Sequence, residues 1–348
     1  MALPRDASTP NVGLPASQPA ARPGTPSGPG VRSPTASIPA ANWNRLVGID
    51  IERFHIEKSL YTDRTRGTFA AHHTRLNFRV IVRAFNLGAA TPGPALVDLL
   101  SQQARATSQL RHPNVTRILA CTLYECFLII VSEFAAGVTL TERLASEPSL
   151  AEEQVLSIAQ QAAEGLQAGM QHGFRHGGVC PMHIRVTTQH RLKLADYCWH
   201  IPHDLFATPT PQGKSTEPDA ATHAVLPYRA PEHLLGTDSD HRADIYALGA
   251  TLYHLLTGRP CFRATSVERL MAVQRQGAPQ APKLVNPAIS QSTSDLLMTM
   301  LAHERTQRPP DYKSLIAKIE TCRLGSRLQQ ARKYMLESQT VIIPPPTS

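Results

Sequence analysis

The stretch Leu226-Pro-Tyr-Arg-Ala-Pro-Glu-His233, followed by Asp244-Ile-Tyr-Ala-Leu-Gly249, decides the fold of this chain. Apolar residues recur at helical spacing through the second segment and on to Leu255, and they cover most sides of the predicted helix. A helix that is apolar nearly all round is buried inside a larger domain. The sequence therefore predicts a central buried helix, preceded by a proline-bounded loop.

The chain changes character on either side of residue 150. Within 54–134, short alternating or apolar runs that begin at Phe54, Phe69, Phe78, Val115 and Phe127 predict strands, and one helix is predicted at about 95–110. Helical periodicity dominates afterwards, beginning with an apolar stripe over 153–170. Strands with one helix, followed by a helical body, predict an α+β fold in two lobes.

Domain boundaries follow from the same shifts in composition. Residues 1–42 are rich in Pro, Ala, Ser and Gly, and such a segment cannot bury enough apolar surface to offset its ordering entropy. We therefore predict a disordered tail there and another at 341–348. Between them we predict a small β-rich lobe at 54–134, a larger helical lobe at 135–323 and a helical extension at 324–340.

Composition argues against several classes of protein. The 348 residues carry a formal charge of +8, but the basic residues are scattered and no Lys/Arg run with interleaved aromatics points to a specific nucleic-acid partner. The six cysteines form no Cys-x-x-Cys pair, which argues against a disulfide framework or a zinc ribbon. The strongest apolar run, 126–131, is too short to cross a bilayer. No signal peptide follows Met1, so we expect a cytoplasmic protein without a transmembrane segment.

Four further phrases complete a pattern that spans about 54–319. They are Leu110-Arg-His-Pro-Asn-Val115, Glu133-Phe-Ala-Ala-Gly137, Leu192-Lys-Leu-Ala-Asp196 and His303-Glu-Arg-Thr-Gln-Arg-Pro309. With the opening stretch, their order and spacing resemble the eukaryotic-type (Hanks) serine/threonine protein kinases. The resemblance implies the protein-kinase-like bilobal fold, with a small β-rich N-lobe containing one helix and a larger helical C-lobe.

The resemblance also implies that the catalytic loop is degenerate. His176-Gly-Gly-Val-Cys-Pro-Met-His183 stands where the family has this loop. Gly178 replaces the aspartate that orients the substrate hydroxyl, and Cys180 replaces the lysine that neutralises the transferred phosphate. Glycine can neither position nor transfer a proton. We therefore expect no catalytic residue in this chain.

Asp196 and His183 are the candidate metal ligands. Asp196 matches the family's metal-binding aspartate, whereas His183 takes the place of the second ligand, an asparagine. Thiolate and imidazole groups suit a transition metal better than Mg²⁺. Cys180, His183, Asp196 and Cys198 are thus an alternative metal site, although we favour their being replacements in a site that no longer works.

The phosphate-binding half of the predicted nucleotide site is altered. Arg83 replaces the third-strand lysine, and its planar fork is a poor substitute for a compact ammonium. Gln103 replaces the lysine's glutamate partner, so the ion pair is lost. The family's three loop glycines fall on Tyr61, Asp63 and Arg66, and an acidic Asp63 would repel a triphosphate.

The adenine half of this site is obstructed. Ile81 replaces a small alanine above the purine, and Arg185 replaces a leucine below it, so added bulk fills the slot. Glu133 and Ala135 complete the degenerate site at the hinge. An alternative is that Arg185 stacks on a ligand ring as a cation–π partner.

By contrast, the residues that support the family's architecture are kept. The resemblance implies that His176 and Tyr197 pack in the core, that Asp244 accepts backbone bonds from the catalytic loop, and that Arg308 lies opposite Glu232. The split between kept architecture and lost chemistry predicts a pseudokinase.

The predicted function is therefore that of a protein-binding scaffold or regulator of signalling. Its expected partners are proteins, such as an active kinase or that kinase's substrates, and the extension with Leu328, Ala331 and Met335 is a candidate docking element. We expect no cofactor, or ATP and Mg²⁺ if nucleotide binding is retained. The alternative is an atypical active serine/threonine kinase that uses Arg83 for the lysine and Asp196 as its sole metal ligand. A nucleic-acid binder is a remote third interpretation.

Overall fold

The computed structural model describes most of the chain between its two terminal segments. The described residues are 42–63, 66–87, 102, 106–195, 197, 224–235, 239–264 and 266–338, except for the side chains of 329–330, 332–334 and 336–338. Most of the helix predicted at about 95–110 and both predicted tails lie outside these residues.

An antiparallel sheet forms the small lobe. Within the described ranges its strands are β1 (Asp50–Ile51), β2 (Phe54–Thr62), β3 (Arg66–His73), β4 (Arg79–Asn86), β5 (Ile118–Tyr124) and β6 (Phe127–Glu133), in the order β1-β2-β3-β4-β6-β5. Successive side chains of a strand face opposite sides of the sheet. In β4, Val80 and Val82 are therefore buried on one face, while Ile81 and Arg83 lie partly exposed on the other, above the interlobe cleft.

The core of this sheet includes residues before Phe54, where the sequence analysis placed the start of the lobe. A 3₁₀ turn at Trp43–Leu46 places the Trp43 ring 5.4 Å from the ring of Phe127 and 6.3 Å from that of Phe69. The Trp43 indole N–H donates to the carbonyl of Asp63 at 2.6 Å. This turn therefore ties the chain preceding the lobe to the tip of the β2–β3 hairpin.

The large lobe is built from helices and a three-stranded sheet. Among described residues the strands are β7 (Val138–Thr139), β8 (Ile184–Val186) and β9 (Leu192–Leu194), and the α-helices are α1 (Leu140–Ser146), α2 (Glu152–Gln171), α3 (Pro231–Leu234), α4 (Arg242–Thr257), α5 (Val267–Arg275), α6 (Pro282–Val285), α7 (Gln291–Met300) and α8 (Tyr312–Ser338). Helix α4 is buried from Ala243 to Tyr253 without interruption, as its apolar pattern predicts. None of the helices in the described ranges has both the length and the apolar character needed to span a bilayer.

The loop that precedes α3 is attached to α4 by a tyrosine–histidine contact. The Tyr228 hydroxyl lies 2.7 Å from Nδ1 of His254, and the two rings are stacked at 6.1 Å. Burial lowers the pKa of His254 from about 6.5 to about 4, and the nearby Arg263 adds to this effect. The imidazole is therefore neutral at pH 7, and its Nδ1 accepts a hydrogen bond from the Tyr228 hydroxyl.

From the lowered pKa of His254 we predict that the folded protein loses stability in acid. Its pKa is lower in the folded protein than in the unfolded chain, so the unfolded chain binds more protons between pH 6.5 and pH 4. We expect the urea midpoint to fall as pH is lowered through that window. His254→Asn keeps an acceptor for Tyr228 but does not titrate, so its midpoint should fall less steeply between pH 7 and pH 5. Equal slopes in the two proteins would contradict the assignment.

Candidate functional site

The loop from His176 to His183 is held against helix α4 by one buried carboxylate. Asp244, in the first turn of α4, accepts the backbone N–H of His176 and that of Gly177, each at 2.8 Å. Gly177 has a φ of +75°, a left-handed conformation that glycine adopts without strain. Asp244 is only 1% exposed, and this burial raises the pKa of its carboxyl group. The loop is thus anchored on α4 through its backbone.

The His176 imidazole links the same loop to the strand that leads to Asp196. Its Nδ1 accepts the N–H of Gly178 at 3.2 Å, which assigns the ring proton to Nε2. Nε2 then donates to the carbonyl of Ala195 at 2.9 Å, and the ring meets that of Tyr197 edge-on at 5.1 Å. The Tyr197 hydroxyl donates to the carbonyl of Leu166 in α2. His176 and Tyr197 therefore lie in the core of the large lobe.

His183 and Cys180 form a buried pair at the base of the loop. Nδ1 of His183 lies 2.7 Å from the carbonyl of Gly178, so this nitrogen carries the proton and donates. His183 is 7% exposed and Cys180 is 1% exposed. Burial acts to raise the pKa of the Cys180 thiol, but the adjacent His183 and the backbone hydrogen bonds from His183 and Met182 together outweigh it, and the net shift is downward. The pair braces the loop around Gly178, which itself presents only backbone.

The candidate metal site cannot be built in full from the described residues. Asp196 and Cys198 lie outside them. Within the described part of the chain, no group of three His, Cys, Asp or Glu side chains is arranged to hold a metal ion. The assignment of Asp196 and His183 as metal ligands therefore stays a prediction.

Arg185 closes the hinge from the side of the large lobe. From its place on β8, opposite Thr139 of β7, its Nε–H donates to the carbonyl of Ala135 at 3.0 Å. Its Nη2 donates to the carbonyl of Gly137 at 2.5 Å. Hydrogen bonds from a charged donor are roughly twice as strong as neutral ones. The carbonyl of Ala135, which is part of the predicted adenine site, is therefore already hydrogen-bonded to the guanidinium of Arg185.

The backbone of the hinge lies unusually close to β8. Gly137 has a φ of +101°, and a Cβ added there would lie 2.2 Å from the carbonyl oxygen of Val186. Only glycine permits this approach, which brings the two carbonyls within reach of the Arg185 side chain. The sequence analysis gave Arg185 a bulk effect or a stacking role and missed this hydrogen-bonded closure.

The small-lobe side of the cleft is also occupied by internal contacts. Ile81 lies opposite Ala70 of β3 and Ser132 of β6, at the position assigned to the top of the adenine slot. Arg83, two residues further along β4, donates from Nη1 to the Ser132 hydroxyl at 3.3 Å. The predicted partner of Arg83, Gln103, lies outside the described residues. Arg83 thus faces the interior beside the hinge.

Glu133, at the start of the hinge, is paired with Lys193 of β9. The ammonium of Lys193 lies 2.6 Å from the Glu133 carboxylate and 3.2 Å from the carbonyl of Val115. This pair joins the two lobes behind the hinge. Lys193 lies within the phrase Leu192-Lys-Leu-Ala-Asp196, but the sequence analysis gave it no role, and only the fold reveals its partner.

A small cavity lies behind Ser132. Its free volume is about 10 Å³, and its polar lining comes from Arg83, Thr107, Thr116 and Ser132, with Tyr197 at one side. A cavity of this size holds about one water molecule. It leaves no room for an aromatic ligand ring.

The segment predicted to replace the glycine-rich loop is a closed hairpin. The Asp63 carboxylate accepts the backbone N–H of Arg66 at 2.7 Å and pairs with its guanidinium at 3.2 Å. The negative charge predicted to repel a triphosphate is therefore compensated locally. Gly67 is needed for packing, because an added Cβ would lie 2.8 Å from the Trp43 ring. The sequence analysis did not identify this contact.

A buried ion pair joins α3 to the loop before α8. The guanidinium of Arg308 bonds both carboxylate oxygens of Glu232, at 2.6 and 3.0 Å. Its remaining N–H groups donate to the carbonyls of Arg242, Ala302 and His303. The structure thus brings together the two residues that the sequence pattern placed opposite each other.

A β-rich lobe and a helical lobe, joined by a hinge above a loop anchored on a buried helix, is the architecture of protein kinases. The protein kinase domain family matches residues 98–318, which is more than half of the chain. This chain therefore belongs to the protein kinase domain family.

Similar proteins include bacterial serine/threonine-protein kinases. Pkn1 of Myxococcus xanthus is 27% identical over 286 residues, covering 78% of this chain and 38% of that protein. PrkC of Bacillus subtilis (strain 168) is 26% identical over 238 residues, covering 68% of this chain and 36% of that protein. The matched region thus spans little more than a third of the length of these curated relatives.

The fold is also shared with a solved structure. A mutant of the kinase domain of PknI from Mycobacterium tuberculosis has a TM-score of 0.59 and 20% identity, and the match covers 79% of this chain and 97% of that one. The predicted α+β bilobal kinase fold is therefore confirmed.

Proposed function

We propose that this chain is a pseudokinase that acts by binding proteins as a scaffold or regulator of signalling. The observation that carries the proposal is the Arg185 guanidinium bound to the hinge carbonyls of Ala135 and Gly137. A purine docking at the hinge would have to displace this cation from two charge-assisted hydrogen bonds. Ile81 narrows the same slot from the small lobe.

The absence of a carboxylate at position 178 supports the same proposal. Transfer of a phosphoryl group needs a residue that orients the attacking hydroxyl. Gly178 supplies only backbone, and its carbonyl is bonded to His183. The described loop 176–183 carries no Asp or Glu that could take over this role. The fold is thus combined with a loop suited to rigidity rather than to proton transfer.

The competing function is that of an atypical active serine/threonine kinase. It is favoured by the bacterial relatives, whose names describe serine/threonine-protein kinases. In that case Arg83 would bind the phosphates of ATP and Asp196 would bind Mg²⁺. ATP and Mg²⁺ are the cofactors that such kinases use. The cytoplasmic location inferred from the sequence and the protein partners proposed here apply to either function and stay predictions.

A thermal-shift titration with Mg-ATP separates the two functions. We expect the melting temperature to change by less than about 1 °C at millimolar nucleotide, whereas a site with a Kd near 50 µM would raise it by roughly 5 °C at 100 times that concentration. Transfer of radioactive phosphate to a peptide mixture should be absent. A large shift that Asp196→Ala abolishes would overturn the proposal in favour of the enzyme.

A further inference from the structure

Two histidines lie side by side on a partly exposed face of the small-lobe sheet. His55 of β2 is directly opposite His72 of β3 and also directly opposite Asp50 of β1. Residues that face each other on neighbouring strands have their Cβ atoms about 4.5–5.5 Å apart. The centroids of the two imidazole rings are accordingly 5.3 Å apart. The side chains of His55 and His72 are 36% and 29% exposed, so solvent reaches both rings.

Each of these two rings is held by its own carboxylate. Nδ1 of His55 lies 2.7 Å from a carboxylate oxygen of Asp50, and Nδ1 of His72 lies 2.7 Å from one of Glu57. An ionised carboxylate only accepts hydrogen bonds, so both Nδ1 atoms carry a proton and donate. The neutral imidazole then has its lone pair on Nε2. Neither Nε2 has a hydrogen-bond partner among the residues that the structure describes.

This arrangement is the one that metal-binding histidines use. A histidine that binds a metal through one nitrogen almost always donates its other ring N–H to a carboxylate, a backbone carbonyl or water. Such a partner fixes the tautomer and the orientation of the ring, and it makes the ligating nitrogen more basic. His55 and His72 both have this support.

The spacing of the two rings matches that of two imidazoles bound to one ion. A metal–nitrogen bond of about 2.0–2.1 Å and a tetrahedral angle of about 109° place the centroids of two ligating imidazole rings about 5.2 Å apart. The observed distance is 5.3 Å, and the ring planes are inclined by 43° rather than stacked flat. The pair therefore has the spacing that a chelate requires without any shift of β2 against β3.

The nitrogen donors select the class of ion. Imidazole suits Zn²⁺, Cu²⁺ and Ni²⁺, whereas Mg²⁺ and Ca²⁺ prefer oxygen ligands. The carboxylates of Asp50 and Glu57 are bonded to the Nδ1 atoms, and the described ranges contain no group of three His, Cys, Asp or Glu side chains that could hold a metal ion. The protein would therefore supply two ligands, and water would supply the others.

The charges around the pair are balanced. Arg79 of β4 lies directly opposite His72, and Lys58 lies on the same face of the sheet. The carboxylates of Asp50 and Glu57 offset these two positive charges. An ion would therefore be bound by coordination to nitrogen rather than by the charge of the surface, which again disfavours Mg²⁺ and Ca²⁺.

We propose that His55 and His72 form a surface site that binds one divalent transition-metal ion, such as Zn²⁺, Cu²⁺ or Ni²⁺, through their Nε2 atoms. Asp50 and Glu57 are positioning residues that hold the two rings, and the bound ion links β2 to β3. The inference goes beyond the proposed function and does not depend on it, because the site shares no residue with the nucleotide cleft.

The test is isothermal titration of the full chain, freed of any affinity tag and of bound metal, with NiCl₂. It is run at about pH 7.5, because imidazole binds metals only in its neutral form. We expect one ion per chain with a Kd in the micromolar range. Ni²⁺ should bind more tightly than Co²⁺, and Mg²⁺ should not bind at the same concentrations.

Two variants assign the binding to this pair of rings. His55→Asn and His72→Asn each keep an N–H donor near the position of Nδ1 but remove Nε2. Loss of a partner that only orients a ligand typically costs about 10–100-fold in metal affinity, so loss of a ligand should cost at least about tenfold. In the absence of metal, thermal melting checks that each variant is folded.

The matched control is His172→Asn. His172 is exposed directly after α2, and its Nδ1 is hydrogen-bonded to the carbonyl of Ala168 rather than to a carboxylate. Its exchange should leave the affinity for Ni²⁺ unchanged.

Three results would overturn the inference. The first is the absence of saturable Ni²⁺ binding to the parent chain. The second is an affinity for Ni²⁺ that is the same in His55→Asn and His72→Asn as in the parent, which would place the ion elsewhere. The third is binding of Mg²⁺ as tight as that of Ni²⁺. None of these results bears on the nucleotide titration, so the two proposals fail or stand separately.

Discussion

Replacing Arg308 by methionine is expected to lower the free energy of unfolding by about 3–5 kcal/mol, because it leaves an uncompensated carboxylate in the interior. The Arg308 side chain is fully buried, and that of its partner Glu232 is 11% exposed. Burial acts to raise the pKa of Glu232, but the hydrogen bonds and the charge of Arg308, together with a backbone hydrogen bond and the nearby His233, outweigh it. The net shift of the pKa is downward, so the carboxylate is charged in the native protein. Urea denaturation followed by circular dichroism measures the loss.

Two controls make this result specific. Arg143→Met removes a half-buried pair between Arg143 of α1 and Glu147, which directly follows that helix, and we expect it to cost only about 0.3–0.5 kcal/mol. The double variant Glu232→Gln/Arg308→Met removes both charges and should recover part of the loss, which a double-mutant cycle measures. If Arg308→Met and Arg143→Met lower the free energy of unfolding by the same amount, the buried pair does not hold α3 to the loop before α8.

The double variant Ile81→Ala/Arg185→Leu is expected to gain affinity for nucleotides by about 100-fold, which corresponds to about 2.7 kcal/mol. Removing Arg185 frees the carbonyls of Ala135 and Gly137, and shortening Ile81 removes bulk that costs about 1–3 kcal/mol to accommodate in a packed site. Isothermal titration with ADP, with and without Mg²⁺, measures the gain.

The matched control for this variant is Arg191→Leu. Arg191 is an exposed arginine on the turn between β8 and β9, and its loss should leave nucleotide affinity as it is. Each single variant should gain less than the double variant, since the slot is obstructed from both lobes. An unchanged affinity in the double variant would mean that these two side chains do not close the site, and the proposed function would lose its main support.

The loop 176–183 is supported through its backbone, by Asp244 and by His183, so the fold is compatible with the loss of catalytic residues proposed above. Asp244 accepts hydrogen bonds from the backbone N–H groups of His176 and Gly177, and these two bonds use no side chain of the loop. His183 likewise bonds the carbonyl of Gly178. None of these three hydrogen bonds needs a carboxylate at position 178.

Much of the architecture could be predicted from local patterns. The strands beginning near Phe54, Phe69, Phe78 and Phe127 lie in β2, β3, β4 and β6, and the stripe over 153–170 lies in α2. The run predicted at Val115 pairs in the small-lobe sheet only from Ile118 onward, since Val115 itself bridges to Leu194 in the large lobe. Alternation and helical spacing indicate which residues of an element are buried, but they do not indicate which strand those residues pair with.

The sequence by itself determined the family, the two-lobed fold and the pairing of Glu232 with Arg308, because these depend on the order and spacing of short motifs. Only the tertiary structure decided where Arg185 points, why Gly67 is needed beside Trp43, and that Lys193 pairs with Glu133. Each of these contacts joins residues that are 24 to 60 positions apart. Such contacts depend on the packing of whole elements, so no local pattern along the chain encodes them.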